Sequence, residues 1–168
     1  MILQIDDWKF GIDMTATMAY SAAEAAEHCD CAYCRNFYAA VDDTYPHLRS
    51  FFAQFGINIE APDELMPFDV EQQMWYDGVY LVCGSILSAG SSDLVCDGVS
   101  IRPTQNHELH INSVCPEPHF YLDVGIFSIP WVLNEPMEEV VSPANFPTFI
   151  KKMWNRLLNR QPKDQISS

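Results

Sequence analysis

A chain of 168 residues and 19.1 kDa suits one domain, or one domain with an appendage, and 48% hydrophobic content with only 19% charged residues supplies a core and excludes wholesale disorder. Nine Lys and Arg against 23 Asp and Glu leave a net charge of −14, which excludes a whole-protein nucleic-acid binder held by counterion release. No apolar run approaches the ~20 residues of a membrane span, and Met1 to Asp7 has neither the basic nor the apolar region of a signal peptide, so a cytoplasmic location is expected.

From the N-terminus, residues 2–12 and 14–20 are expected to form two strands, since Met14, Ala16, Met18 and Tyr20 alternate with Thr15, Thr17 and Ala19. Ser21 to Glu24 fits a capping box ahead of an alanine-rich turn. Asp30 is then expected to cap a short helix whose Cys34, Phe37, Tyr38 and Val41 fall on one face. Another helix is expected to open near Pro46, with Leu48, Phe51, Phe52 and Phe55 as its stripe and Gly56 as its stop.

Residues 57–70, with Pro62, Pro67 and several acids, suggest an irregular connection. Gly78 to Leu87 is almost continuously apolar, as in a central strand covered on both faces. Leu94–Ile101, His107–Val114 and His119–Ile129 are shorter strand candidates. The fold class is α+β: an antiparallel sheet of about five to seven strands, short helices on the N-terminal side, and a C-terminal amphipathic helix.

That last helix follows from Phe146, Phe149, Ile150, Met153, Trp154, Leu157 and Leu158, which keep a 3.6-residue period behind Asn145 as N-cap. Charge separates along the chain in the same way. Residues 1–150 hold four basic residues against 22 acidic ones, a balance of −18, whereas 151–168 hold five basic against one acidic, a balance of +4. The domain organisation expected is an acidic α+β domain over 1–142, a basic amphipathic helix over 143–162 packed on it or on a second copy, and a frayed tail over 163–168. An anionic membrane surface is the competing place for such a helix.

Chemistry concentrates in His28-Cys29-Asp30-Cys31-Ala32-Tyr33-Cys34, which holds three of the six cysteines and one of the five histidines. A disulfide scaffold fits poorly, because a reducing compartment keeps thiols free. Three readings compete. Thiolate and imidazole are zinc ligands, and structural zinc takes four; His28, Cys29, Cys31 and Cys34 are candidates, with Cys115, His119, Cys96, His107 or His110 completing the set. In a redox reading, Cys31 in a first helical turn is the activated thiol and Cys34 resolves it, opposed by Glu27 and Asp30. In a structural reading the cysteines pack as small hydrophobes, with Arg35 and Asn36 reaching outward.

At Cys29 to Tyr38 the sequence resembles a group of small bacterial proteins that share a Cys-x-Cys-x-x-Cys-Arg-Asn-Phe segment. The likeness extends over roughly residues 1–135 through the Phe55-Gly56-Ile57 helix end, the connection from Glu60 to Pro67, the strand from Tyr76 to Gly84 and the segment Ile129 to Leu133. It implies a shared fold and no activity.

No nucleophile elbow, Walker A loop, dinucleotide fingerprint or His-Glu-x-x-His motif occurs. Asp42-Asp43, Asp63-Glu64 and Glu138-Glu139 are expected to be solvated charges. Trp75, Tyr76, Tyr121 and Trp131 either line a groove or belong to the core. The leading expectation is a non-enzymatic cytosolic interaction module whose acidic surface meets a basic protein partner, with no cofactor; homo-oligomers are compatible with its aromatic content. The alternative is a thiol oxidoreductase or a zinc-binding protein using the cysteine segment.

Overall fold

The computed structural model describes residues 1–70, 73–105, 115 and 117–137. The strand expected over 107–114, His107, His110, Glu138-Glu139, the helix expected over 143–162 and the tail 163–168 lie outside these residues.

The chain opens as a hairpin, where one strand over 2–12 is expected. Strand β1 (Ile2–Ile5) pairs antiparallel with β2 (Trp8–Ile12), and Asp6 turns the chain at φ 52. Aspartate tolerates that left-handed conformation better than most residues. Residues 14–20 are helical, not the expected strand: α1 spans Met14–Ala26. Asp13 caps it, accepting from the Ala16 amide at 3.0 Å, and alanines favour the helix. Its buried residues are Thr17, Tyr20 and Ser21, whereas Met18 is exposed, so the alternation that suggested a strand does not describe a face. Ser21 sits inside this helix instead of capping a later one, and its hydroxyl accepts from the Asn58 amide.

Helix α2 (Ala32–Thr44) begins behind Cys31, which takes the cap position expected for Asp30. Cys34, Phe37 and Val41 are buried on it as the spacing predicts, Tyr38 is only half-buried, and Asn36, expected to reach outward, is wholly buried with them. Helix α3 (Leu48–Ala53) buries Leu48 and Phe52, and Gly56 at φ +84 ends this stretch.

The sheet of the described residues has seven strands, all antiparallel: β1, β2, β3 (Glu64–Val70), β4 (Gln73–Ser88), β5 (Leu94–Cys96), β6 (Val99–Thr104) and β7 (His119–Ser128). Its order is β1-β2-β4-β7-β6-β5, with β3 also against β4. Strand β3 occupies ground expected to be irregular. Among the described residues β3 has only β4 as a neighbour, and a strand with one free edge need not donate from every amide, so Pro67 is tolerated. The single strand expected over Leu94–Ile101 divides at Asp97-Gly98, whose φ values of 50 and 78 suit a tight hairpin.

The 16 residues of β4 organise everything else. One side pairs along most of its length with β7; the other meets β3 over 73–79 and β2 over 84–88. Between those two neighbours, side chains and a helix end take over the backbone bonds. The Leu81 amide donates to Asp63 Oδ2 at 2.7 Å, the Cys83 amide to Thr17 Oγ1 at 3.1 Å, and the Asp13 amide to the Cys83 carbonyl at 2.9 Å. Buried backbone groups need such partners. At Gly84 the strands approach so closely that a Cβ would lie 2.1 Å from the Gly11 carbonyl oxygen.

Alternation along β4 builds two cores. Met74, Tyr76, Tyr80 and Val82 join Phe37, Val41, Leu48, Phe52, Phe120, Leu122 and Phe127 in the larger one, beneath α2 and α3. Val79, Leu81 and Cys83 face Tyr20 of α1, Cys115 and Tyr121 in a smaller one. The fold is therefore α+β on an antiparallel sheet, and β4 is covered on both faces as its composition predicts.

Candidate metal centre

The turn into α2 gathers the cysteine segment. Cys31 is extended (φ −63, ψ 155) at the cap, and Cys34 lies three residues on in the first helical turn, so both sulfurs face the same side as Cys29. The three sulfurs lie within 4.8 Å of one another. In a zinc tetrahedron with Zn–S bonds of about 2.3 Å, sulfurs are separated by about 3.8 Å, so small side-chain adjustments suffice. Cys29 and Cys31 are exposed and Cys34 is buried. Arg35 secures the turn from outside, donating to the Asp30 carbonyl and to the Glu135 carboxylate.

The three thiols are electrostatically unequal. The backbone N–H of Cys31 donates to Cys29, with further bonds from the thiols of Cys31 and Cys34, and this holds the Cys29 thiol below its ordinary value. Burial pushes the Cys34 thiol up, and its sulfur neighbours add to that shift. The hydrogen bonds favour thiolate at Cys29, which the redox reading does not use. Tyr38 is pushed up as well, first by burial and then by the charge of Cys34.

Of the other candidate ligands, His28 is adjacent. Its ring stacks on Tyr38 at 4.4 Å, and its Nε2 is buried without a hydrogen-bond partner. It is not among the donors that converge within 4.8 Å. Cys115 and His119 belong elsewhere, which corrects their grouping with the cysteine segment. Cys115 is disulfide-linked to Cys83 of β4 across a Cα–Cα distance of 6.7 Å, whereas the three cysteines of the segment are free, as expected for it. His119 stands opposite Cys83 on β7, with Nε2 3.2 Å from the Tyr121 hydroxyl and Nδ1 3.5 Å from Glu117. Cys96 lies on β5.

Three polar residues gain roles that the sequence reading did not assign. Asn36 donates to the Pro130 carbonyl (3.1 Å) and the Tyr76 hydroxyl (3.2 Å), and accepts from the Val132 amide (2.8 Å), tying 130–132 to α2. The helical spacing from Tyr33 through Asn36 and Phe37 to Ala40 carries that signal. Asp63, expected to be solvated, has its carboxyl raised to about 6, by burial first, and holds Tyr20 and the Leu81 amide. Asp77 on β4 is buried with one carboxyl oxygen unpartnered; burial first, then the charge of Asp123, raise it to about 8. Trp75 is half-buried, while Tyr76 is a core residue.

Comparison with known proteins finds no matching family, no matching curated protein and no matching solved structure. Among the described residues, no helix is long and apolar enough to cross a membrane. Cys29, Cys31 and Cys34 form the one group of three or more His, Cys, Asp or Glu donors, among those residues, arranged to hold a metal ion.

Proposed function

We propose that this protein is a non-enzymatic cytosolic binding module that carries zinc on the thiolates of Cys29, Cys31 and Cys34. The convergence of three sulfurs at one helix start carries this reading, because thiolates prefer zinc and other thiophilic ions over hard cations. His28, next to Cys29 in the chain and with its Nε2 buried and unpartnered, would supply the fourth donor by turning toward the three sulfurs, among which it does not lie. Zinc bound there would neutralise adjacent thiolates that otherwise repel one another and would link residue 29 to α2. The surrounding acidic body, at −18 over residues 1–150, offers its surface to a basic protein partner.

The test is metal reconstitution of the full chain under reducing conditions. One zinc per chain is expected, with cobalt giving the intense thiolate charge-transfer absorption of a sulfur-rich site. Cys29→Ser or Cys31→Ser is expected to abolish tight binding, and His28→Ala to weaken it. A wild-type chain that retains neither metal after reconstitution overturns the reading.

A further inference from the structure

The metal site contains two kinds of thiol. Cys29 and Cys31 are exposed, whereas Cys34 is 7% exposed in the flank of α2. All three sulfurs are nonetheless within 4.8 Å. A dissolved disulfide must reach a sulfur in order to react with it, so access separates the pair from the third donor.

We propose that the exposed pair, Cys29 and Cys31, is oxidised to an intramolecular disulfide by low-molecular-weight disulfides, and that this oxidation gates the metal site. One exposed thiolate attacks a sulfur of R–S–S–R, forming a mixed disulfide and releasing R–S⁻. The second then attacks the protein sulfur of that mixed disulfide and releases the other R–S⁻. Two protein thiols lose two protons and two electrons to form one S–S bond, and the reagent is reduced to two molecules of R–SH. Oxidation consumes two of the three sulfur donors, leaving Cys34 alone and the site without metal. Bound zinc engages the same sulfurs and opposes the exchange. The gating half of the proposal rests on the metal-site reading; the choice of sulfur pair does not.

The experiment exposes the full metal-free chain to glutathione disulfide, quenches by alkylation at intervals, and maps the cysteines by mass spectrometry. A Cys29–Cys31 bond is expected, with Cys34 alkylated only after unfolding. Cys34→Ala is expected to oxidise like the wild type while binding no zinc tightly. Free zinc at about ten times its dissociation constant should slow oxidation about tenfold by mass action, and the oxidised chain should take up no zinc. A bond that includes Cys34, or a mixed disulfide that persists, overturns the choice of pair. A zinc-loaded chain that oxidises as fast as the metal-free one overturns the gate while leaving the metal site standing. Failure to bind zinc, with the Cys29–Cys31 bond still forming, overturns both the metal reading and the gate but not the pair.

Discussion

Two cysteine regions of this molecule are built on opposite plans. Cys29, Cys31 and Cys34 come together through six residues of chain at the start of α2, two of them in water. Cys83 and Cys115 are 32 residues apart and meet in the smaller core beside Leu81, Tyr20 and Tyr121. A local cluster is set by helix geometry, so it can form with little help from the rest of the fold. The distant pair exists only once β4 is in place. The first region is therefore suited to exchange ligands, and the second to hold structure together.

The strongest way to break this contrast is to remove the distant pair. Cross-linking a loop of this length stabilises by about 3–4 kcal/mol in the chain-entropy treatment. Replacing Cys83 and Cys115 together by alanine should lower denaturation stability by that order, yet leave zinc stoichiometry unchanged. Loss of the metal in that double variant would mean that the two regions are coupled.

Asn36 sharpens the boundary between site and scaffold. Asn36→Ala removes three hydrogen bonds, to the Tyr76 hydroxyl, to the Pro130 carbonyl and from the Val132 amide, each worth about 0.5–1.5 kcal/mol. A loss of about 3 kcal/mol is expected in urea unfolding. Asn36→Asp, which keeps only an acceptor, should recover little of it.

A pH titration of stability tests the sheet itself. Asp77, raised to about 8, keeps its proton in the folded chain at pH values where the unfolded chain has lost it. Its contribution is thus fully present below about pH 4 and is lost as pH rises through 8, at roughly 1.4 kcal/mol per unit. Asp63, raised to about 6, acts with the same sign over the lower part of that window only. Between pH 6 and 8 the decline should be visibly shallower in Asp77→Asn than in the wild type; equal slopes would remove Asp77 as its source.

The smallest stability effect belongs to the local cluster. Cys31→Ser changes an exposed side chain that makes no capping bond, so metal-free stability should move by no more than about 0.5 kcal/mol. Metal binding should nevertheless be lost. A large destabilisation without metal would place Cys31 in the scaffold and erase the distinction between the regions.

Near-neighbour patterns were enough to establish the α+β class, the apolar character of β4, the buried stripe of α2, the Gly56 stop and the density of the cysteine segment. Each depends on periodicity or on spacing within one or two turns. The same reasoning misassigned α1, because alternation over Met14 to Tyr20 looks like a strand until Asp13 closes the helix and Thr17 docks on β4. It also read β3 as irregular, since a pairing with β4 that sets Pro67 opposite Tyr76 is a property of the assembled sheet. Only the tertiary structure could move Cys115 and His119 away from the cysteine cluster, bury Asn36, and place Asp63 and Thr17 where β4 lacks a neighbouring strand. Those outcomes depend on backbone groups left over when distant strands meet, and no local pattern records which groups those will be.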